Sequence, residues 1–234
     1  MKNLFIFALF VFVLVAAQYT KAQTADEVID KYVTALGGKD KLASIKTVKM
    51  EGNLSTQGMD IPIVVTKKHL VGYRLDISVM GTENYQMINA EKGWLFMPVQ
   101  GQSAPEEMPD ELYKASISQL DAQGTLFNYK DKGTTVEMAG KETVDNNECY
   151  KLNVAFKNGT KSVYYISTKD NHVYKVSTRI TVNGEETDAY TIYSDYKQTA
   201  DGYWYAFTTT SQRGTTTYDK ITVNVPVDDN LFKN

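Results

Sequence analysis

The chain has 234 residues, is 42% hydrophobic and 23% charged, and carries a net charge of −3 at neutral pH. A mildly acidic chain lacks the basic surface that a polyphosphate partner requires, which argues against nucleic acid. One cysteine and two histidines exclude a disulfide scaffold and leave too few ligands for the common zinc sites.

Residues 1–22 read as a Sec signal peptide. Lys2 supplies the positive start, residues 4–17 an apolar run too short to span a bilayer, and Thr20 and Ala22 the small residues before cleavage at Gln23. No cysteine stands at that point, so the chain is not expected to be a lipoprotein itself. Loss of Lys2 and Lys21 takes the charge to about −5, and residues 23–234 suit one β-rich domain.

Thr24 and Glu27 form a capping box, and Val28, Ile29, Tyr32, Val33 and Leu36 make one apolar face ended by Gly37-Gly38. This predicts a helix over residues 24–36, with a short turn over 39–45. Period-two alternation then predicts strands at 47–54, 61–68, 69–80, 85–90 and 94–99. Residues 105–123 break that pattern and read as a helix whose acidic start, Glu106, Glu107, Asp110 and Glu111, complements its dipole. Alternation resumes at 126–130 and 134–139 and runs through hairpins at Asn158-Gly159 and Asn183-Gly184 to residue 225. The predicted class is mainly β with helices (α+β). Its sheet is antiparallel, strongly curved and of about eleven strands, because a twisted sheet of that size curls or splits. Left open, it is a half β-barrel covered by the central inserted helix, with the N-terminal helix beside it.

No catalytic constellation is visible, and the expectation is a non-enzyme without cofactor or metal. His69 and His172 stand where strands begin and read as solvated. Cys149 lies in a strand and reads as a small core residue. No Gly-rich loop precedes a helix, so there is no phosphate cradle. What stands out is aromatic and methionine content. Tyr85, Met87, Trp94, Phe96 and Met97 precede the central helix; Tyr164, Tyr165, Tyr174, Tyr190, Tyr193, Tyr203, Trp204, Tyr205 and Phe207 follow it. Such side chains adapt to irregular apolar ligands. An open curved sheet does not fill its own hollow, so a pocket is expected beneath the helix. Its expected lining is Met87, Trp94, Phe96 and Met97 from the strands with Leu112, Ile117 and Leu120 from the helix. A slip of one residue in register would invert that assignment.

The order of several short motifs then becomes informative. Ala35-Leu36-Gly37-Gly38 is followed by Leu42-Ala43-Ser44-Ile45-Lys46-Thr47, then Gly93-Trp94, Asp195-Tyr196-Lys197, Asp201-Gly202, and the run Asn224 through Phe232. Together they resemble the exported LolA-like proteins, often labelled outer-membrane lipoprotein-sorting proteins, over nearly all of the chain after residue 22. The resemblance implies an open β-barrel whose helices cover a hydrophobic cavity for acyl chains. It implies a monomeric periplasmic carrier of an acyl lipid or lipoprotein, with transient contact to envelope membrane proteins. Carriers of that superfamily hold their covering helices shut with an arginine on an early strand. Arg74 is the only early arginine here and falls on the third expected strand, so the role is not transferred to it. The alternative expectation is a non-catalytic envelope structural or stress-interaction module whose barrel is packed shut. A hydrolase would need a nucleophile–base pair that the sequence does not display.

Overall fold

The computed structural model describes residues 23–182 and 185–234. The expected signal peptide, residues 1–22, and the expected turn at Asn183-Gly184 lie outside the described residues.

Helix α1 (Ala25–Ala35) starts where its cap requires: the Thr24 hydroxyl accepts the Glu27 N–H at 3.2 Å, and the Glu27 carboxylate accepts the Thr24 N–H at 3.1 Å. Its buried side chains are Val28, Ile29, Tyr32 and Val33. Helix α2 (Lys39–Ala43) follows a reversal at Gly37 and Gly38. Then come β1 (Thr47–Thr56), β2 (Met59–Lys68), β3 (Gly72–Val79), β4 (Thr82–Asn89), β5 (Gly93–Phe96) and β6 (Glu106–Glu107). Helix α3 (Asp110–Ser116) runs into a 3-10 turn, Ile117–Leu120. The second half holds β7 (Thr135–Val144), β8 (Asn147–Ala155), β9 (Lys161–Ser167), β10 (Val173–Val182), β11 (Glu185–Gln198), β12 (Trp204–Ser211) and β13 (Gly214–Val223). All belong to one antiparallel sheet in the order β6-β5-β4-β3-β2-β1-β13-β12-β11-β10-β9-β8-β7, curved and not closed.

Among the described residues the sheet has thirteen strands, against the expected eleven or so. Glu106 and Glu107 pair with Leu95 and Trp94, so they extend the sheet edge and are not the first turn of the helix. Residues 126–130 are turns, not a strand. Gly124 (φ 94°) and Asn128 (φ 49°) reverse the chain there, and Leu126, Phe127 and Tyr129 fold into the core beneath α1. The third strand begins at Gly72 because Leu70 (φ 57°) turns the backbone first.

Register decides the faces. Met50 pairs with Val65, Val65 with Leu75, Leu75 with Gln86, and Gln86 with Leu95, so these share one face. α1 and α2 pack on that face over β8–β10, β13 and β1, while α3 and its turn pack on it over β2–β5. Met50 and Tyr218 touch both clusters and join them into one core.

The opposite face carries the C-terminal turn Asp229–Phe232. Phe232, 2% exposed, lies directly on Gly72, where a Cβ would fall 2.1 Å from the ring Cγ. Only glycine fits beneath that ring. Asn89 Nδ2 donates to the Phe232 carbonyl at 3.2 Å. Arg74 is on this face too. Its Nε donates to Asp76 at 2.7 Å, its guanidinium stacks 3.9 Å from the Tyr85 ring centroid, and Nη1 reaches the Leu231 carbonyl at 3.5 Å. The early arginine therefore fastens the C-terminal turn and stands on the face away from α3.

Cys149 in β8 is fully buried and unpaired, and burial pushes its thiol up to about 11. An expected outcome follows: a disulfide-exchange thiol reagent at neutral pH leaves the native protein unlabelled and labels it promptly in denaturant. Fast native labelling would contradict this packing.

Candidate ligand cavity

Between the helices and the sheet lies a cavity of about 320 Å³ bounded by Tyr32 of α1 and Leu36 at its C-cap, Met50 of β1, Val65 and Lys67 of β2, and Tyr193, Tyr196 and Tyr205 of β11 and β12. It continues into a chamber of about 460 Å³ that shares Tyr32, Lys67, Gln119, Tyr193 and Tyr196 and extends to Tyr164 of β9 and Arg213 in the β12–β13 turn. Lys67 and Tyr164 line one chamber although β2 and β9 stand six places apart in the sheet. Laid flat, that is about 29 Å at the usual strand spacing. The sheet is wrapped around the chamber, and the helices cover its open side.

α3 and its turn span that side, touching β10 at one end and β2, β3 and β4 at the other. Hydrogen bonds that pin the span include Asn158 Nδ2 to the Lys114 carbonyl (3.0 Å), the Leu70 N–H to the Leu120 carbonyl (2.8 Å), and Gln123 Nε2 to the Ala43 carbonyl (3.1 Å). Just beyond, Asp121 accepts from Lys132 at 2.5 Å and lies 3.5 Å from His69 Nδ1. Burial lowers the His69 pKa against the pull of Asp121. Neither histidine is solvated as expected. His69 closes on Asp121, and His172 stacks 4.1 Å from Tyr196.

The walls are phenolic. Burial raises the pKa of Tyr32, Tyr73, Tyr164, Tyr193, Tyr196, Tyr205 and Tyr218, so each is a neutral hydroxyl at physiological pH. Tyr164 shares a 2.7 Å hydrogen bond with Thr125, and Tyr196 donates to the Val173 carbonyl at 2.8 Å. The Tyr205 hydroxyl is buried without a partner. Ring faces here provide apolar contact, and a few hydroxyls provide direction.

One cation enters this wall. Ile63, Val65 and Lys67 follow one another on the helix-covered face of β2. Lys67 Nζ donates to Gln119 Oε1 at 2.9 Å and lies 5.5 Å from the Tyr73 ring centroid. Burial pulls its pKa down to about 8, and the Asp121 charge opposes that pull.

The residues expected from sequence divide by face. Leu112, Ile117 and Leu120 pack from α3 and its turn onto Val65, Tyr73, Ile88 and Met108, in a core cluster on the helix-covered face, and none of the three is among the side chains bounding the cavity or the chamber. Met87 and Trp94 are cross-strand partners, as are Met87 and Arg74, and Phe96 pairs with Tyr85. Met87, Trp94 and Phe96 thus point to the face that bears Arg74, away from the cavity; Leu95 and Ile88 take the other. Met97 leads into a 3-10 turn, Pro98–Gln100, and its N–H donates to Gln102 Oε1 at 2.7 Å. On β5 the register turns Leu95 toward the cavity face and Trp94 away from it. Lys67 and the tyrosines of β11 and β12 were the wall residues not singled out together. A lysine in phase with Ile63 and Val65 was the available signal. Among the described residues, no group of three or more His, Cys, Asp or Glu is placed to hold a metal ion.

The architecture is an open, wrapped sheet roofed by an inserted helix over a partly open hollow. The fold is LolA-like. It matches a LolA superfamily protein from Nitrosomonas europaea with a TM-score of 0.58 at 12% identity, over 91% of this chain and 99% of that one. A DUF1329 family protein from Desulfovibrio piger matches with a TM-score of 0.58 at 14% identity, over 89% and 96%. An outer membrane lipoprotein-sorting protein domain from Vibrio parahaemolyticus matches with 0.51 at 17% identity, over 88% and 95%. No protein-family model and no curated protein matches the sequence. At these identities the likeness is one of fold.

Proposed function

We propose that this chain is a non-catalytic periplasmic carrier or binding protein that holds acyl chains of a lipid or lipid-modified protein in the wrapped cavity. The observation that carries the reading is the chamber touched at once by β2 and β9 and roofed by α3. Its size falls within the range of roughly 300–1,000 Å³ that small-molecule sites occupy. Each methylene taken from water into such a site contributes about 0.8 kcal/mol before the costs of ordering the chain. The lipoprotein-sorting label of the Vibrio domain points the same way, and export by the N-terminal signal would deliver the protein to the compartment where such cargo moves.

The two tryptophans provide the test, because they occupy opposite faces. Trp204 lines the cavity, and Trp94 faces away from it. In a Trp94→Phe variant, added dodecanoate should shift and quench the Trp204 emission. In Trp204→Phe, the Trp94 emission should stay unchanged. Native mass spectrometry of the purified protein should show co-purified lipid. Silence of Trp204 together with lipid-free protein would overturn the reading in favour of a packed, non-binding module.

A further inference from the structure

Lys67 is a charged residue in an apolar phase. The two members before it on that face of β2, Ile63 and Val65, are buried core. Lys67 is half-buried and its partner Gln119 is exposed, so the ammonium is partly withdrawn from water, and a charge so placed is normally paired. Here the compensation is partial. Nζ meets a neutral amide oxygen, Gln119 Oε1, and a ring, Tyr73. The carboxylate that acts on it, Asp121, is already engaged by Lys132 and lies beside His69. No carboxylate lies within ion-pair distance of Lys67 among the described residues. Arg213, exposed in the β12–β13 turn, opens on the same chamber. The unpartnered Tyr205 hydroxyl adds an unused polar group to the adjoining wall. The hollow thus holds Lys67 beside a ring face and Arg213 at its rim, while the one carboxylate in its lining among the described residues, Asp121, is already taken by Lys132.

We propose that the cavity selects an anionic amphiphile, with the acyl chain along the tyrosine walls and a carboxylate or phosphate head group accepting from Lys67 Nζ. This rests on the acyl-binding reading above and narrows it to a head-group class. A neutral lipid end would leave the ammonium as it stands; an anionic end completes its pairing through charge-assisted hydrogen bonds.

The experiment compares three ligands of one chain length, dodecanoate, dodecyl phosphate and dodecanol, read by Trp204 emission in the Trp94→Phe background. At neutral pH at least one anion should bind about tenfold or more tighter than the alcohol. Whether the carboxylate, the phosphate or both bind so identifies the source of the head group. Lys67→Met should bring all three to the alcohol's affinity, and Lys67→Arg should keep the preference. The preference should fade as pH rises above about 8 and Lys67 loses its charge. The groups facing Lys67 are Asp121 with its partners Lys132 and His69, the phenols of Tyr32, Tyr73, Tyr193 and Tyr196, and Arg213. The phenols have raised pKa values and His69 a lowered one, so neither those phenols nor His69 titrates in that window. Equal binding of all three ligands to the parent protein, or a preference that survives Lys67→Met, would overturn the head-group assignment while leaving acyl binding intact. Failure of all three to bind would overturn both.

Discussion

Lys67→Met makes the ligand-free protein more stable at neutral pH, by about 1–3 kcal/mol after allowing for water in the cavity. The sign follows from linkage. The folded pKa is about 8 against an ordinary value of 10.5. Below pH 8 both the folded and the unfolded chain carry the charge, and the folded one bears its desolvation cost in full. As pH rises from about 8 toward 10.5, the folded state gives up its proton first and that cost is relieved. The advantage of Lys67→Met over the parent should therefore be largest at neutral pH and shrink toward pH 10. Urea denaturation of both proteins at a series of pH values measures it. Taking the difference cancels the buried tyrosines, whose raised pKa values remove stability from both proteins alike at alkaline pH. A methionine variant less stable than the parent at neutral pH would show Lys67 to be paid in full by its present contacts, and the reason for an anionic ligand would vanish. A residue that stabilises the empty fold when removed, and weakens ligand binding when removed, is held for the ligand.

Gly52→Ala should cost about 3 kcal/mol or more, the scale of a forced backbone shift in a packed core. Gly52 sits where β1 passes between β2 and β13, at the register shift between Glu51 and Gly52. A Cβ there would fall 2.1 Å from the Thr217 carbonyl oxygen and 2.7 Å from the Tyr218 Cα. Both are backbone atoms, so no side chain can swing aside. The β1–β13 ladder joins the early strands to the late ones, and Tyr218 belongs to both halves of the core and to the cavity wall. Opening that ladder unseats both. A shift in the urea midpoint worth under 1 kcal/mol would show that the bulge can absorb a methyl group.

Much of the architecture was readable before any coordinates. The capping box at Thr24 and the apolar stripe through Val33 are interactions within one helical turn or two, so the chain announces them locally. The antiparallel meander, the inserted helix and the open barrel follow from alternation and its one long interruption. The cavity wall was less legible. Trp94 and Leu95 are both apolar, so composition gave no reason to turn either one inward; the pairing of Gln86 with Leu95 and of Met87 with Trp94 made the choice. Glu106 and Glu107 suit a helix start by charge, yet β5 offered a free edge and took them.

Short-range chemistry in this chain is enough to assign helix, strand and turn over most of its length, because caps, alternation and glycine-bearing turns act between near neighbours. It is also enough to announce a hollow, since a bent open sheet has more inner surface than its own side chains cover. The occupants of that inner surface come from partners far apart in sequence. Lys67 meets Gln119, and Tyr32 faces Tyr193 and Tyr196, across separations that no local pattern encodes. Burial then turns an ordinary surface lysine into a partly desolvated ammonium whose pKa is drawn down to about 8, a change of chemistry produced by the surroundings and not by the residue itself.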